Sequence, residues 1–420
     1  MSGKYLQNYA EPEIHALKAI STVFLHCICI PVFDEPINFI QRIITFIEEQ
    51  PASLVIIVLN QPSHSGNIGY RCNENNLACR QILQQTGQLL WSNNNLQLLN
   101  YGNSSAILLV DRFSRGLTIP PHQGVGLARK IAADLALQLI TQQTINCPWI
   151  YSTDADVRLP EDYFTLHEQK KQDNVAAFTA NYKHIPTENN EIFQATQLYQ
   201  ERLDSYVNGL RYAGSQYAYH SLGSTLCINK KNYIQVRGFP KRAAGEDFYL
   251  LNKLRKTGLI ICPKQPIINI ESRQSNRTPF GTGPAVNEIL LSTDDDKKAI
   301  LYHPELFCFL KKLLCWLKLL STEANNWSRE QQWQSHLVHS EIFLKGEQDL
   351  IIRSLDALKF AKAMKHCLAQ SRDSKTFDRQ MHDWFDAFKT LKFLHFIRER
   401  SEFKNISSAR YHQLTTKTKF

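Results

Sequence analysis

Apolar positions alternate between two periods over the first third of the chain. Residues 23–32 and 54–59 are continuous apolar runs rich in β-branched residues, the pattern of strands buried on both faces of a parallel sheet. Residues 106–110 and 149–152 add two shorter runs of the same kind. Between them the period lengthens to that of a helix: Ile37, Ile40, Ile44 and Ile47 share one face of residues 36–49. Residues 76–90 and the alanine- and leucine-rich stretch 127–140 are predicted as further helices, and residues 63–71 as a polar loop. Strand and helix in alternation predict an α/β fold with a doubly wound, mostly parallel sheet flanked by helices.

From about residue 287 the pattern turns helical to about residue 400, with few Gly or Pro. The expected organisation is a lead segment over 1–20, an α/β domain over 21–285 and an α-helical C-terminal region over 286–420. The charged run 294–298 is read as a solvated helix start. The last residues, 407–420, read as a polar, mobile tail. Leu306, Phe309, Leu310, Leu313, Leu314 and Leu317 form an apolar stripe within 306–320, with Lys311, Lys312 and Lys318 off it. That stripe fits a helix packed on the rest of the protein, the reading we favour, or an interfacial helix on an anionic membrane. The stripe from Trp384 and Phe385 through Phe388, Leu391 and Leu394 reads as core.

Composition narrows the function classes. The chain has 420 residues, 43% of them hydrophobic, and a formal net charge of +9. A basic balance favours anionic partners such as a diphosphate. No basic stripe interleaved with aromatics marks a nucleic-acid groove, so no nucleic-acid partner is expected. The ten cysteines show no C-x-x-C spacing, which points to free thiols in a reducing compartment. No signal peptide opens the sequence and no run is long enough to span a bilayer. The expected location is cytoplasmic, peripheral to the inner face of the membrane on the interfacial reading of 306–320.

In open α/β sheets ligands bind beyond the carboxyl ends of the strands. Three polar clusters follow strands here: Asp34-Glu35, Asn60-Gln61 and Asp154-Ala155-Asp156. Two carboxylates at a strand end suit a hard cation, Mg²⁺ or Mn²⁺, on a diphosphate. Glu246 and Asp247 open an amphipathic helix, where Asp247 is placed to act as a general base. Gly223 and Ser224 lead a strand and permit close approach of a ligand. Arg273 and Arg277, ahead of Gly281-Thr282-Gly283, form a candidate phosphate clamp.

The order of these pieces resembles glycosyltransferase family 2 and its GT-A fold relatives over about residues 21–285. Ile30-Pro31-Val32-Phe33-Asp34-Glu35 is similar to the family's opening strand. Gly124-Val125-Gly126-Leu127-Ala128-Arg129-Lys130 is similar to its Gly-x-x-x-Ala-Arg-Asn helix, and Ser152-Thr153-Asp154-Ala155-Asp156 to its Asp-x-Asp segment. Gly223-Ser224 and Arg237-Gly238-Phe239 with Gly245-Glu246-Asp247 resemble its acceptor-side Gly-Gly-Phe and Glu-Asp motif.

The resemblance implies a metal-dependent, inverting, non-processive glycosyltransferase. It would move a sugar from a nucleotide-sugar donor to a hydroxyl of a glycan, lipid-linked or small-molecule acceptor. Asp247 would be the base with Glu246 beside it. Asp154 and Asp156 would hold the metal. Pro31, Phe33, Asp34, Glu35, Asn60, Gly126, Lys130, Asp154, Gly223, Ser224, Arg273 and Arg277 would line the donor site. Three departures stand out. The second strand ends Asn60-Gln61-Pro62 in place of Asp-Asp-Gly-Ser, Lys130 replaces Asn, and 273–283 is not the Gln-x-x-Arg-Trp motif of processive members. A sugar-phosphate nucleotidyltransferase, or a non-catalytic protein on a degenerate GT-A fold, are the alternatives.

Overall fold

The computed structural model describes all residues except 1, 51, 64–72, 103, 170–172, 294–299, 323–332 and 419–420. The predicted loop 63–71 and the charged run 294–298 therefore fall largely outside the described residues. The chain divides into two units: Met1–Gln197 with Ser221–Leu290, and Leu198–His220 with Leu291–Phe420.

Unit 1 is built on β1 (His26–Val32), β2 (Ser53–Asn60), β3 (Gln88–Asn93), β4 (Leu96–Asn100), β5 (Ala106–Arg112), β6 (Trp149–Ser152), β8 (Val175–Thr179), β10 (Leu226–Asn229) and β11 (Leu259–Ile261). These nine strands form one sheet in the order β11-β8-β10-β6-β1-β2-β5-β4-β3. Seven run in one direction, and only β4 and β10 oppose them. A second, three-stranded sheet joins β7 (Val157–Arg158), β12 (Ile267–Glu271) and β9 (Asn181–Ile185).

Both faces of the central strands are covered, which is why β2 is buried at every position. Ile28, Ile30 and Val32, with Val55, Ile57 and Leu59, pack on α2 (Asn38–Glu49) and α3 (Glu74–Thr86) through Phe39, Ile43, Ile47, Cys79 and Leu83. The helix α4 (Gly124–Thr141) packs on β1, β2 and β6. The expected strands and the α/β architecture are thus present.

The helix expected over 76–90 ends earlier. Thr86 closes α3 at Gly87, and Leu89, Leu90 and Trp91 enter β3, paired with β4. Gly87 has its own reason: a Cβ there would lie 2.8 Å from the Tyr101 ring. The lead segment carries a helix, α1 (Ser2–Asn8), whose Tyr5 is buried. Later helices of the chain are α5 (Asn190–Tyr212), α6 (Lys230–Gln235) and α7 (Glu246–Arg255).

Unit 2 is helical. Leu306, Phe307, Phe309, Leu310, Leu313, Trp316, Leu317 and Leu320 of the helix Pro304–Thr322 are all buried in its core. The apolar stripe that would face a membrane is consumed by packing, and Lys312 pairs with Glu347 at 2.7 Å. The interfacial reading of 306–320 is corrected accordingly. The tail is corrected too: Ser408–Thr418 is a helix, with Ser408 donating to Glu201 at 2.6 Å and Tyr411 buried. Among the described residues, no helix is long and apolar enough to cross a membrane. All nine described cysteines are free thiols.

Candidate active site

The parallel neighbours β1 and β2 end together, at Val32 and Asn60, and β6 ends at Ser152, level with Cys29, three residues before the end of β1. Their carboxyl ends therefore share one edge. Because β10 runs antiparallel to β6, with Leu226 opposite Ser152, the turn Gly223–Thr225 enters at that same edge. The start of α7 is brought there by α4. Gly126 N–H donates to the Arg242 carbonyl at 3.0 Å, and a Cβ on Gly126 would lie 2.4 Å from the Pro240 carbonyl. Only glycine allows this approach of backbone to backbone. Gly126 thus seats the segment that leads into Glu246.

One side chain not among the expected site residues, Arg129, sits at the centre. Arg129, 3% exposed, projects from α4 beneath the edge. Its Nε donates to Glu246 Oε1 at 2.8 Å and its Nη2 to Asp154 Oδ1 at 2.6 Å. Its Nη1 donates to Ser152 Oγ at 2.9 Å. A single buried guanidinium therefore ties the Asp-x-Asp segment after β6 to the first residue of α7. Gly223 makes room for it: a Cβ there would fall 2.2 Å from Arg129 Nη2. Ser224 is buried beside it in the same turn. The signal for Arg129 lies in the Ala128-Arg129-Lys130 segment, one residue before Lys130.

Lys130 is one helical position on and turns elsewhere. Its Nζ lies 2.9 Å from both Asp134 Oδ2 and Tyr5 Oη, all three groups buried. Lys130 has these buried protein partners, apart from those of Arg129, because residues 129 and 130 lie on different faces of α4.

A second arginine system closes the other side. Arg273 forks onto Glu35 through both guanidinium ends, and its Nη2 also reaches Asp156 Oδ2 at 2.7 Å. Arg277 pairs with Glu35 as well and donates to the Phe33 carbonyl at 2.9 Å. Glu35 is thus a buried anchor for two guanidiniums. The expected group of Glu35, Asp156, Arg273 and Arg277 is brought together.

Asp34 sits outside this cluster, with left-handed backbone (φ 54). Its carboxylate accepts from Asn73 Nδ2 at 3.0 Å and Asn75 Nδ2 at 2.8 Å, and those bonds hold it below the usual carboxylate range. Asn60 is buried and donates to the Val32 carbonyl at 2.9 Å, stitching the ends of β1 and β2. Pro31 lies within β1, buried opposite Val58. These three hold the edge in shape. His220 and His303 both belong to unit 2, where His220 pairs with Asp204 at 2.8 Å.

The electrostatics follow from the inventory. Five carboxylates (Glu35, Asp154, Asp156, Glu246 and Asp247) meet three guanidiniums (Arg129, Arg273 and Arg277). Asp156 is pushed up to about 6, by burial first, against the pull of Arg273, and further by neighbouring Asp154 and Glu35. Asp247 is pushed up to about 7 by burial and by Glu246, with Arg129 opposing and Asp154 adding. Asp154 lies within electrostatic reach of both Asp156 and Asp247, and Arg129 ties it to Glu246. Arg129 is held firmly protonated: burial opposes its charge, but Asp154 and Glu246 outweigh burial.

Among the described residues no group of three or more His, Cys, Asp or Glu side chains forms a protein-only metal cage. Asp154 and Asp156 each present one oxygen to a guanidinium, which leaves the second oxygen of each. That donor set fits a hard cation that completes its shell from phosphate oxygens and water, as Mg²⁺ commonly does.

No family model matches the chain, and no curated protein matches it. Among the solved structures that resemble it distantly are the following two. One, described as a mycobacterial protein, is 13% identical over 66% of this chain and 76% of that one, with a TM-score of 0.33. The other is glucosyl-3-phosphoglycerate synthase from Mycobacterium tuberculosis in complex with phosphoglyceric acid. It is 9% identical over 69% of this chain and 80% of that one, with a TM-score of 0.30. Likeness at this level assigns the chain to no family and carries no argument about its chemistry.

Proposed function

We propose that this protein transfers a sugar from a nucleotide-sugar to an acceptor hydroxyl. The single observation that carries the reading is the buried Arg129 bridge. It joins Asp154, in a pair of carboxylates suited to a cation on a diphosphate, to Glu246, next to a carboxylate tuned toward neutral pH.

In this scheme Asp247, with its affinity for a proton near 7, takes the proton from the acceptor hydroxyl. The freed oxygen attacks the anomeric carbon, the bond from that carbon to the diphosphate breaks, and the electron pair leaves with the nucleoside diphosphate. Attack opposite the leaving group inverts the anomeric centre. Glu246, fixed by Arg129, holds α7 and thus Asp247 in register. Arg273 and Arg277, anchored on Glu35, face the charge that develops on the leaving diphosphate. Asp154 and Asp156 would hold Mg²⁺ or Mn²⁺, which supplies neutralisation of that charge.

The acceptor is a hydroxyl of a glycan, a lipid-linked sugar or a small molecule. The test is release of nucleoside diphosphate from a panel of nucleotide-sugars with Mn²⁺. Activity that survives Asp156→Ala and Asp247→Asn unchanged would sink the scheme. Pyrophosphate release from a nucleoside triphosphate and a sugar phosphate would instead identify a nucleotidyltransferase.

A further inference from the structure

Unit 1 carries a group of cations that the proposed reaction does not use. Arg237 in the turn Val236-Arg237-Gly238, Arg242 in the loop that follows and Lys253 on α7 are all exposed, and Arg242 stacks on Tyr249, one turn before Lys253 on that helix. Both arginines lie within electrostatic reach of Lys253. Among the described residues none of the three is in an ion pair. Of the acids on the neighbouring elements, Glu11 pairs with Lys241 at 3.0 Å, Asp134 with Lys130 at 2.9 Å and Glu246 with Arg129 at 2.8 Å, while Asp247 stands at the other end of α7 from Lys253.

The arginines are held by aromatic rings instead of carboxylates. The Arg237 Cζ lies 4.7 Å from the centroid of Tyr9, and the Arg242 Cζ lies 3.9 Å from that of Tyr249. A ring fixes a guanidinium without neutralising it, so its N–H groups stay available to an anion.

The backbone beneath them is built for this display. Arg237 has φ 65, in the left-handed region that costs a side-chain-bearing residue strain. Gly238 follows at φ 72, and a Cβ on it would fall 2.5 Å from Tyr5 Oη and 2.8 Å from Tyr233 Oη. Those two hydroxyls donate to Asp134 Oδ1 at 2.6 and 2.9 Å. The turn is therefore seated on the buried Tyr5, Tyr233, Asp134 and Lys130 network, and α1 carries Tyr9 on from Tyr5 to lie against Arg237. A strained arginine, on a pinned turn, in a cluster of unneutralised cations, is more than a solvated loop requires.

We propose that Arg237, Arg242 and Lys253 form a binding site for a phosphate group, carried by a small-molecule phosphate ester or a lipid headgroup. Planar guanidiniums match phosphate oxygens, and three positive charges suit a dianion better than a monocarboxylate. Partial desolvation, then Arg237, Arg242 and Lys130, hold Lys253 below its ordinary proton affinity, and a bound dianion offsets the repulsion among these cations.

The test uses the full chain. Glycerol 3-phosphate, with glycerol as the uncharged control, is titrated by calorimetry. Vesicles of phosphatidylcholine, with and without phosphatidic acid, are assayed by co-sedimentation. The variants are Arg237→Gly, Arg242→Gln and Lys253→Gln, with Arg273→Gln as the donor-side control. The expected result is saturable binding of glycerol 3-phosphate, weakened about tenfold by each of the three variants and unchanged in Arg273→Gln. Arg237→Gly removes the backbone strain, so its thermal stability should rise while its binding falls, which separates lost charge from misfolding. Phosphatidic acid-dependent sedimentation without binding of the soluble ester would assign the same site to a lipid headgroup. Phosphate binding equal in all three variants, binding lost only in Arg273→Gln, or no binding of either probe would overturn the proposal.

Discussion

Replacing Arg129 by Met removes a charge and five N–H groups from the buried centre of the site while nearly keeping the side chain's length. The Arg129–Glu246 pair is shielded at both ends, with side-chain exposures of 3% and 5%. Breaking a pair of this kind by deleting one partner costs about 3–5 kcal/mol, because the remaining charge stays buried without compensation. The Arg129–Asp154 pair is different: Asp154 is 33% exposed, so water screens it and its loss adds about 0–1 kcal/mol. Arg129→Met should therefore destabilise unit 1 by about 3–5 kcal/mol in urea titration at pH 7. Acid should relieve part of the loss, since Arg129 is one of the groups that favours the charged form of Asp247. The double variant Arg129→Met, Glu246→Met replaces the whole pair by apolar groups, and should recover most of the stability. A single-variant loss under about 1 kcal/mol, or a double variant as unstable as the two single losses summed, would refute the reasoning.

The other expectations concern the same edge. Gly223→Ala places a Cβ 2.2 Å from Arg129 Nη2 and must displace the guanidinium, so it should cost about 1–3 kcal/mol. Added to Arg129→Met, the same change should cost almost nothing more in urea titration. Asp247 in the folded chain holds its proton up to about pH 7, above the ordinary 3.8. Its ionisation therefore costs stability that is absent below about pH 4, grows as pH rises from there and is complete above about pH 7. Asp247→Asn should accordingly be more stable than the wild type at pH 8, on the order of 1–3 kcal/mol once partial exposure is allowed for. The two proteins should converge near pH 3, and a gain constant across pH would contradict this account. Asp156, pushed up to about 6, must be ionised to bind a cation. Mn²⁺ affinity in the presence of a nucleoside diphosphate should fall about tenfold per pH unit below pH 6, measured by calorimetry, and a flat profile from pH 5 to 8 would remove Asp156 from the cation's shell.

The sequence by itself determined the strands β1, β2, β5 and β6, because a strand buried on both faces must be apolar at every position. It also determined that Asp34-Glu35, Asn60-Gln61 and Asp154-Ala155-Asp156 end on one edge, since parallel neighbours point their carboxyl ends the same way. The start of α7 at Glu246 was legible from the acidic pair at the head of an amphipathic stretch.

Which polar side chain at that edge meets which partner was decided only by the tertiary structure. Arg129 and Lys130 are adjacent in sequence and equally basic, yet a rotation of about 100° along the helix sends one to Asp154 and Glu246 and the other to Asp134 and Tyr5. Asn60 is held by the Val32 carbonyl and Asp34 by two asparagines, partners that no sequence spacing announces. The hairpin of β3 and β4 was illegible because Leu89, Leu90 and Trp91 suit a helix end and an edge strand equally, and pairing with β4 made the choice. Apolar periodicity records how much surface an element must hide. The partner of a buried charge depends on distances in space, which no one-dimensional pattern encodes.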